Sequence, residues 1–167
     1  MNRLFAAVLA GVVALLGLTL VSAPAGASTT TTTTSTATAT ATPALDTEVY
    51  ERKVHRQINK QRKAHGLRKL RFDSCTDRVA ENWGSYLASS LEFFHQELDV
   101  LFNRCDVTYA GETLAKGPVT PAQMVQLWME SPGHRAILLS SSPRRLGVGA
   151  YPDVEGNWVV AAEFTRF

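Results

Sequence analysis

Between Ser28 and Pro43 the chain is built from threonine, serine and alanine with a closing proline, and it carries no charge and no apolar periodicity. Such a stretch cannot bury enough apolar surface to offset the entropy of ordering it. Residues 28–44 therefore read as a tether, either a bare disordered linker or an O-glycosylated stalk. What remains for a fold is residues 45–167, roughly 120 residues, enough for a single core. No internal repeat divides it.

Ahead of the tether, residues 1–27 have the layout of a secretory signal. Arg3 supplies the positive start, an apolar run extends from Leu4 to Val21, and Ala25-Gly26-Ala27 offers the small-x-small pattern of a cleavage site. The rival reading is a retained anchor, since the apolar run is nearly long enough to span a bilayer. The cleavage pattern and the lack of basic residues after it favour removal, which leaves a secreted chain with no stable membrane span. No cysteine stands at the cleavage point, which argues against lipid attachment. The formal net charge of +2 is too small to make nucleic acid the expected partner.

Export changes the meaning of the two cysteines. Cys75 and Cys105 form no CxxC motif and are too few for a four-cysteine zinc site. Outside the cytoplasm an isolated pair tends to oxidise, so a Cys75–Cys105 disulfide is expected, two free thiols being the alternative.

Within the folded part, Tyr50, Val54 and Ile58 recur at helical spacing, predicting a helix from about Thr47 to His65 with Asp46 as its N-cap and Gly66 beyond its end. Arg52, Arg56, Lys60 and Lys63 lie on the opposite side, a solvated face or a surface for anionic wall polymers or lipid. Arg62 falls at the edge of the apolar stripe and is expected to be buried and paired with an acid or with backbone carbonyls. A second helix is predicted from Ser74, with Ser74 and Asp77 as a capping box and Val79, Ala80, Trp83 and Leu87 inward. A third starts at Thr120-Pro121 with Gln123 completing its box, and ends at Ser131-Pro132-Gly133. Gly147 to Tyr151 and Trp158 to Phe164 read as a closing hairpin. Helices followed by strands imply an α+β domain in layers.

Four histidines bear on chemistry. His55 and His65 sit on the first helix among basic residues and read as ordinary surface positions. His95 follows Leu91-Glu92-Phe93-Phe94, and His134 follows Ser131-Pro132-Gly133. Between them Glu112 stands inside the apolar, small-residue run Tyr109 to Ala115, where a carboxylate needs a partner. Two imidazoles and a carboxylate can ligate a divalent metal, act as acid and base, or form a satisfied polar network. The spacing selects none of these. There is no HExxH, no PCxxC after His95-Gln96-Glu97, and no GxSxG around Ser131.

Ile58-Asn59-Lys60-Gln61-Arg62 with Gly66-Leu67 and Leu70, then Phe94-His95, Gly111-Glu112, Trp128 through Arg135 (WMESPGHR), and Leu146-Gly147-Val148-Gly149 occur in that order. The set resembles the CAP superfamily, the cysteine-rich secretory, antigen 5 and pathogenesis-related proteins also called SCP domains, and within it the secreted bacterial branch. The placing of Cys75 and Cys105 is similar to that of actinobacterial members. The resemblance implies an α-β-α sandwich with an antiparallel central sheet over residues 45–167, and a cleft lined by two histidines and acids. His95, Glu112 and His134 match cleft positions, and Glu130 lies within one residue of the second acid. Thr113 and Ile137 depart from the pattern, each standing where an asparagine is usual.

The resemblance further implies a secreted binding or interaction module, free or wall-associated and monomeric, for a lipid or sterol, a protein or a cell-wall component. It needs no cofactor, though His95, His134 and Glu112 are expected to be able to hold zinc or another divalent metal. Two alternatives stay open. One is an extracellular, peptidase-like hydrolase with His134 or His95 as base, Glu112 orienting it and Ser131 or water as nucleophile. The other is a purely structural His/Glu network.

Overall fold

The structure, a computed structural model, describes residues 43–90 and 92–167. The export signal and nearly all of the tether lie outside the described residues. Among the described residues no helix is long and apolar enough to cross a membrane.

Helix α1 spans Pro43–Ala64. It starts four residues earlier than its capping signals suggest, so Asp46 sits in the first turn rather than at the N-cap, and the last two tether residues belong to the helix. There Asp46 still complements the positive end of the helix dipole. Tyr50, Val54 and Ile58 form the buried stripe. Gly66, at φ 72°, then turns the chain.

Arg62 is 1% exposed. Its Nη1 donates to the carbonyls of Leu138 (2.6 Å) and Ser140 (2.8 Å), and its Nε to that of Arg68 (2.9 Å). Among the described residues its partners are carbonyls alone. The guanidinium thereby ties the end of α1 to a loop more than seventy residues downstream.

Helix α2 (Ser74–Ser89) is capped one residue before the expected position. Asp73 is the N-cap, and its carboxylate accepts from the Thr76 amide at 3.0 Å. Asp77 is occupied elsewhere, accepting from the Val148 amide at 2.9 Å. Helix α3 (Asp99–Cys105) was not foreseen, and its Cys105 is bonded to Cys75 at the start of α2 with Cα atoms 5.7 Å apart. Helix α4 (Pro121–Glu130) has the expected capping box of Thr120 and Gln123. The chain does not stop being helical at Ser131-Pro132-Gly133. Pro132 instead opens a short helix α5 (Pro132–Leu138), proline being acceptable in a first turn.

Four strands, β1 (Arg71–Phe72), β2 (Tyr109–Gly117), β3 (Arg145–Pro152) and β4 (Trp158–Arg166), form one sheet in the order β1-β3-β4-β2. The expected hairpin is the pair β3–β4. β2 runs antiparallel to β4, but β1 pairs parallel to β3, so the sheet is mixed rather than purely antiparallel. The crossover from β1 through α2, α3 and β2 makes a parallel return to β3 geometrically available.

Alternation along the strands sorts the core into two layers. Leu146, Val148, Ala150, Val160, Ala162 and Phe164 meet α1, α4 and α5 on one face. Val159 and Ala161, with Leu114 opposite, meet Leu87 and Ala88 of α2 on the other. This is the α-β-α sandwich. On the α2 side the helix backbone descends onto Gly149, where a Cβ would stand 2.2 Å from the Ala80 carbonyl oxygen. Gly147 meets the backbone of Asp77 in the same way.

β1 covers only Arg145 and Leu146 of its neighbour. The amides of Val148 and Ala150, further along that open edge, are taken by Asp77 of α2 and Glu51 of α1, both at 2.9 Å. Burial raises both acids, Asp77 to about 6 and Glu51 to about 7, against the opposing pull of the amides.

Two substitutions test this packing. Arg62→Ala strands three carbonyls and should lower unfolding free energy by about 3–5 kcal/mol, whereas Arg56→Ala at the exposed face should change it by less than about 0.5 kcal/mol. Equal effects in urea denaturation would show that Arg62 holds nothing together. Gly149→Ala collides with backbone rather than a movable side chain, so it should lower the melting temperature by several degrees or prevent folding. An unshifted melt would mean that α2 does not need the close approach.

Candidate functional site

Glu112 on β2 and Glu163 on β4 are register partners on the sheet face covered by α2. Both are buried, Glu163 completely. Two charges cannot be held this close away from water without partners, and the partners come from the loop after α2. The Gln96 side-chain amide donates to Glu112 Oε2 (3.2 Å) and to Glu163 Oε1 (2.5 Å), while its backbone N–H reaches Glu112 Oε1 (3.3 Å). His95 Nδ1 is hydrogen-bonded to the same Glu112 oxygen.

Glu163 is left with one oxygen, Oε2, buried and without a hydrogen-bond partner. Burial, then the facing Glu112 carboxylate, push its pKa well above the ordinary carboxyl range, and the Gln96 donor only partly offsets this.

The carboxylate accepts from Nδ1–H, so His95 presents Nε2 on the far side of its ring. That side chain is 58% exposed although its anchor, Glu112, is 2% exposed. The His134 ring, at the start of α5, lies 6.4 Å from the His95 ring between centroids, tilted by 48°. Partial burial and then the neighbouring His95 lower the His134 pKa, keeping it neutral further into acid.

The structure thus brings His95, Glu112 and His134 together. His95 and Glu112 are hydrogen-bonded to each other, and the His134 ring lies beside that of His95. Both oxygens of Glu112 are engaged, and among the described residues no three His, Cys, Asp or Glu side chains gather so as to hold a metal ion. Glu130, exposed at the end of α4, is hydrogen-bonded by Gln126 of its own helix. Ser131 joins α4 to α5, and none of its recorded hydrogen bonds reaches either ring.

The two departures from the family pattern point away from this site. Thr113 follows Glu112 on the strand and so faces the other layer, where its hydroxyl is buried without a partner. Ile137 packs against the core there and stands 3.4 Å from where a Gly111 side chain would begin. His55 is half-buried, with Nε2 enclosed and unpartnered, and burial lowers its pKa; His65 is exposed, as expected.

Beside the histidines lies an aromatic shelf. Trp83 stacks on Tyr86 at 5.2 Å, and Phe94 meets Trp83 edge-on at 5.1 Å. Phe93, Phe94 and Tyr86 are each nearly half exposed. A groove of about 410 Å³ runs from Trp83 and Tyr86 to Gln96, Val100 and Arg104.

Sequence reasoning missed Gln96 and Glu163. The second carried the same signal as Glu112, an acid inside an apolar run, here Val159 to Phe164. Gln96 carried none.

The raised acids set a pH dependence. A carboxyl whose folded pKa exceeds its unfolded value contributes stability that is complete below the ordinary carboxyl range and is lost as pH rises through the folded pKa. The part of the stability that these carboxyls supply should therefore fall from about pH 4.5 upward through neutrality, opposed below about pH 6.5 by His55 and His134, whose lowered pKa values act in the other direction. Glu163→Gln should flatten that fall, leaving the part due to Asp77 and Glu51. Urea unfolding between about pH 4.5 and about pH 8 measures the slope, and an unchanged slope would show that Glu163 ionises without penalty.

Residues 55–162 match the model of the family described as "CAP: Cysteine-rich secretory protein family". YkwD of Bacillus subtilis is 32% identical over 108 residues, covering 60% of this chain and 42% of YkwD. The chain spans less than half the length of the curated relatives it matches. An extracellular SCP-domain protein of Bacillus anthracis superposes with a TM-score of 0.68 at 24% identity, covering 75% of this chain and 43% of that one. A cysteine-rich secretory protein of Staphylococcus aureus does so with 0.63 at 22% identity, covering 75% and 40%. These solved structures share the fold, and the family match extends from the middle of α1 to the last strand. With well over half of its length so matched, the chain belongs to the cysteine-rich secretory protein, or CAP, family.

Proposed function

We propose that the domain is a binding module working outside the cytoplasm, holding an amphipathic, lipid- or sterol-like ligand across the His95–His134 face and the aromatic groove beside it. The observation that carries this reading is an exposed imidazole anchored by a buried carboxylate, set next to exposed aromatic rings. Hydrogen-bonding groups bordering an apolar patch are the ordinary make-up of a ligand cleft. The buried acids hold the imidazole in one orientation before any ligand arrives, which reduces the ordering cost of binding. An external location is supported by the signal-like residues 1–27, the Cys75–Cys105 bond and the described extracellular relative in B. anthracis.

One observation favours a second reading, hydrolysis. A carboxylate-oriented imidazole is the arrangement of a general base, and His95 Nε2 could take a proton from water attacking an ester or amide.

The test is a titration of the purified chain with cholesterol and with a single-chain phospholipid, followed by tryptophan fluorescence, beside a panel of chromogenic esters and peptides. Saturable binding weakened about tenfold, or about 1.4 kcal/mol, by Phe94→Ala and by His95→Ala is expected. Binding of neither lipid, or binding that ignores both substitutions, would overturn it. Ester or peptide turnover that His95→Ala abolishes would install the second reading in its place.

A further inference from the structure

At the end of the sheet where β3 begins and β4 finishes, a groove of about 520 Å³ is lined by Arg68, Lys69, Arg71, Arg144, Arg145 and Arg166, with no acidic side chain in its wall. We propose that this groove binds a linear phosphate-bearing polyanion, independently of whatever the His95–His134 face holds.

The first argument is segregation. The chain as a whole carries a formal charge of only +2, so six cations in one groove are not the consequence of a uniformly basic protein. The three ion pairs among the described residues, Arg52–Glu48, His95–Glu112 and Lys116–Asp153, include none of the six. Their repulsion is left for something outside the chain to neutralise.

The second argument is register. Arg71 and Arg145 are partners across the parallel pair β1–β3. Like charges placed opposite each other in a sheet are destabilising. β1 is two residues long and both are exposed, so its own burial returns little against that cost. An anion seated between the two strands converts the repulsion into attraction.

The third is the type of cation. Five of the six are arginines, whose planar guanidinium donates to phosphate through two N–H groups at once. One wall is already ordered. Arg144 Nη1 donates to the carbonyls of Ser142 (3.2 Å), Pro143 (3.0 Å) and Ser141, and the Arg145 guanidinium lies 6.0 Å from the centre of the Phe167 ring. The volume suits a short run of phosphate groups. Phe167 is the groove's one aromatic, too little to stack successive bases, which favours a phosphate chain over a nucleic acid.

The experiment is calorimetric titration of the purified chain with inorganic tripolyphosphate at low and at physiological salt. Parallel arms use single-stranded DNA and phosphatidylglycerol vesicles. Arg71→Gln with Arg166→Gln, both exposed, removes two charges from the groove. Arg56→Gln with Lys60→Gln removes two from the exposed face of α1 and serves as the control, and thermal melts establish that both variants are folded. Expected is tripolyphosphate binding that weakens with salt, falls about tenfold or more in the groove variant and changes by less than about twofold in the control. The proposal is overturned by an absence of tripolyphosphate binding at low salt, or by equal losses in the two variants. It is overturned equally by DNA or vesicle binding that tripolyphosphate does not displace.

Discussion

Glu112 and Glu163 face each other across neighbouring strands on the covered side of the sheet, and neither reaches bulk water. Few arrangements are more expensive in a small domain, since each carboxyl loses hydration while the other repels its charge. The way that expense is met shapes everything around it. Gln96 bridges the two acids, so the loop after α2 must come down onto the sheet at that residue. His95 is then committed to Glu112 by chain continuity, and Phe94 to the edge of Trp83. The exposed face is thus the outer surface of a buried electrostatic problem.

The α2 layer has to sit at one height for this to work. Gly147 and Gly149 let the helix backbone come down further than any side chain would allow, and Asp77 hydrogen-bonds to the strand between them. The disulfide holds the start of α2 to α3, next in line after the His95–Gln96 loop. On the model in which a crosslink restricts the unfolded chain, a loop of that size contributes about 3–4 kcal/mol. Helix height and loop position are therefore fixed by different kinds of interaction at different points along α2.

Much of this could be read in the chain before folding, where the signal was local. The helical stripe of Tyr50, Val54 and Ile58, the Thr120–Gln123 box and the buried position of Arg62 all follow from spacing of a few residues. The cleft residues His95 and Glu112 were legible as polar groups in apolar or small-residue company. What escaped was set by distant partners. β2 contains two glycines, a lysine and a glutamate among its nine residues and has little strand propensity; it is a strand because β4 pairs along its whole length. β1 is too short for any period to register. Glu163 looked like one more residue of a hairpin, because its meaning lies in Glu112, fifty-one residues earlier in the chain.

The shortness of β1 also explains how charge is distributed. A strand of two residues leaves the outer edge of β3 with exposed amides, the usual invitation to unwanted pairing. Asp77 and Glu51, reaching from α2 and α1, occupy the amides of Val148 and Ala150 and close that edge. Their carboxyls gather beside Glu81 in a cavity of about 520 Å³ and are raised by the burial this requires. At the other end of the same edge, where β1 does pair, arginine faces arginine and no acid intervenes. One edge thus carries acids where amides need acceptors and bases where the strands meet. The acids have a structural reason to be there. Among the described residues the arginines have no acidic partner, and that asymmetry is why the basic end, rather than the acidic one, is read as a place for a ligand.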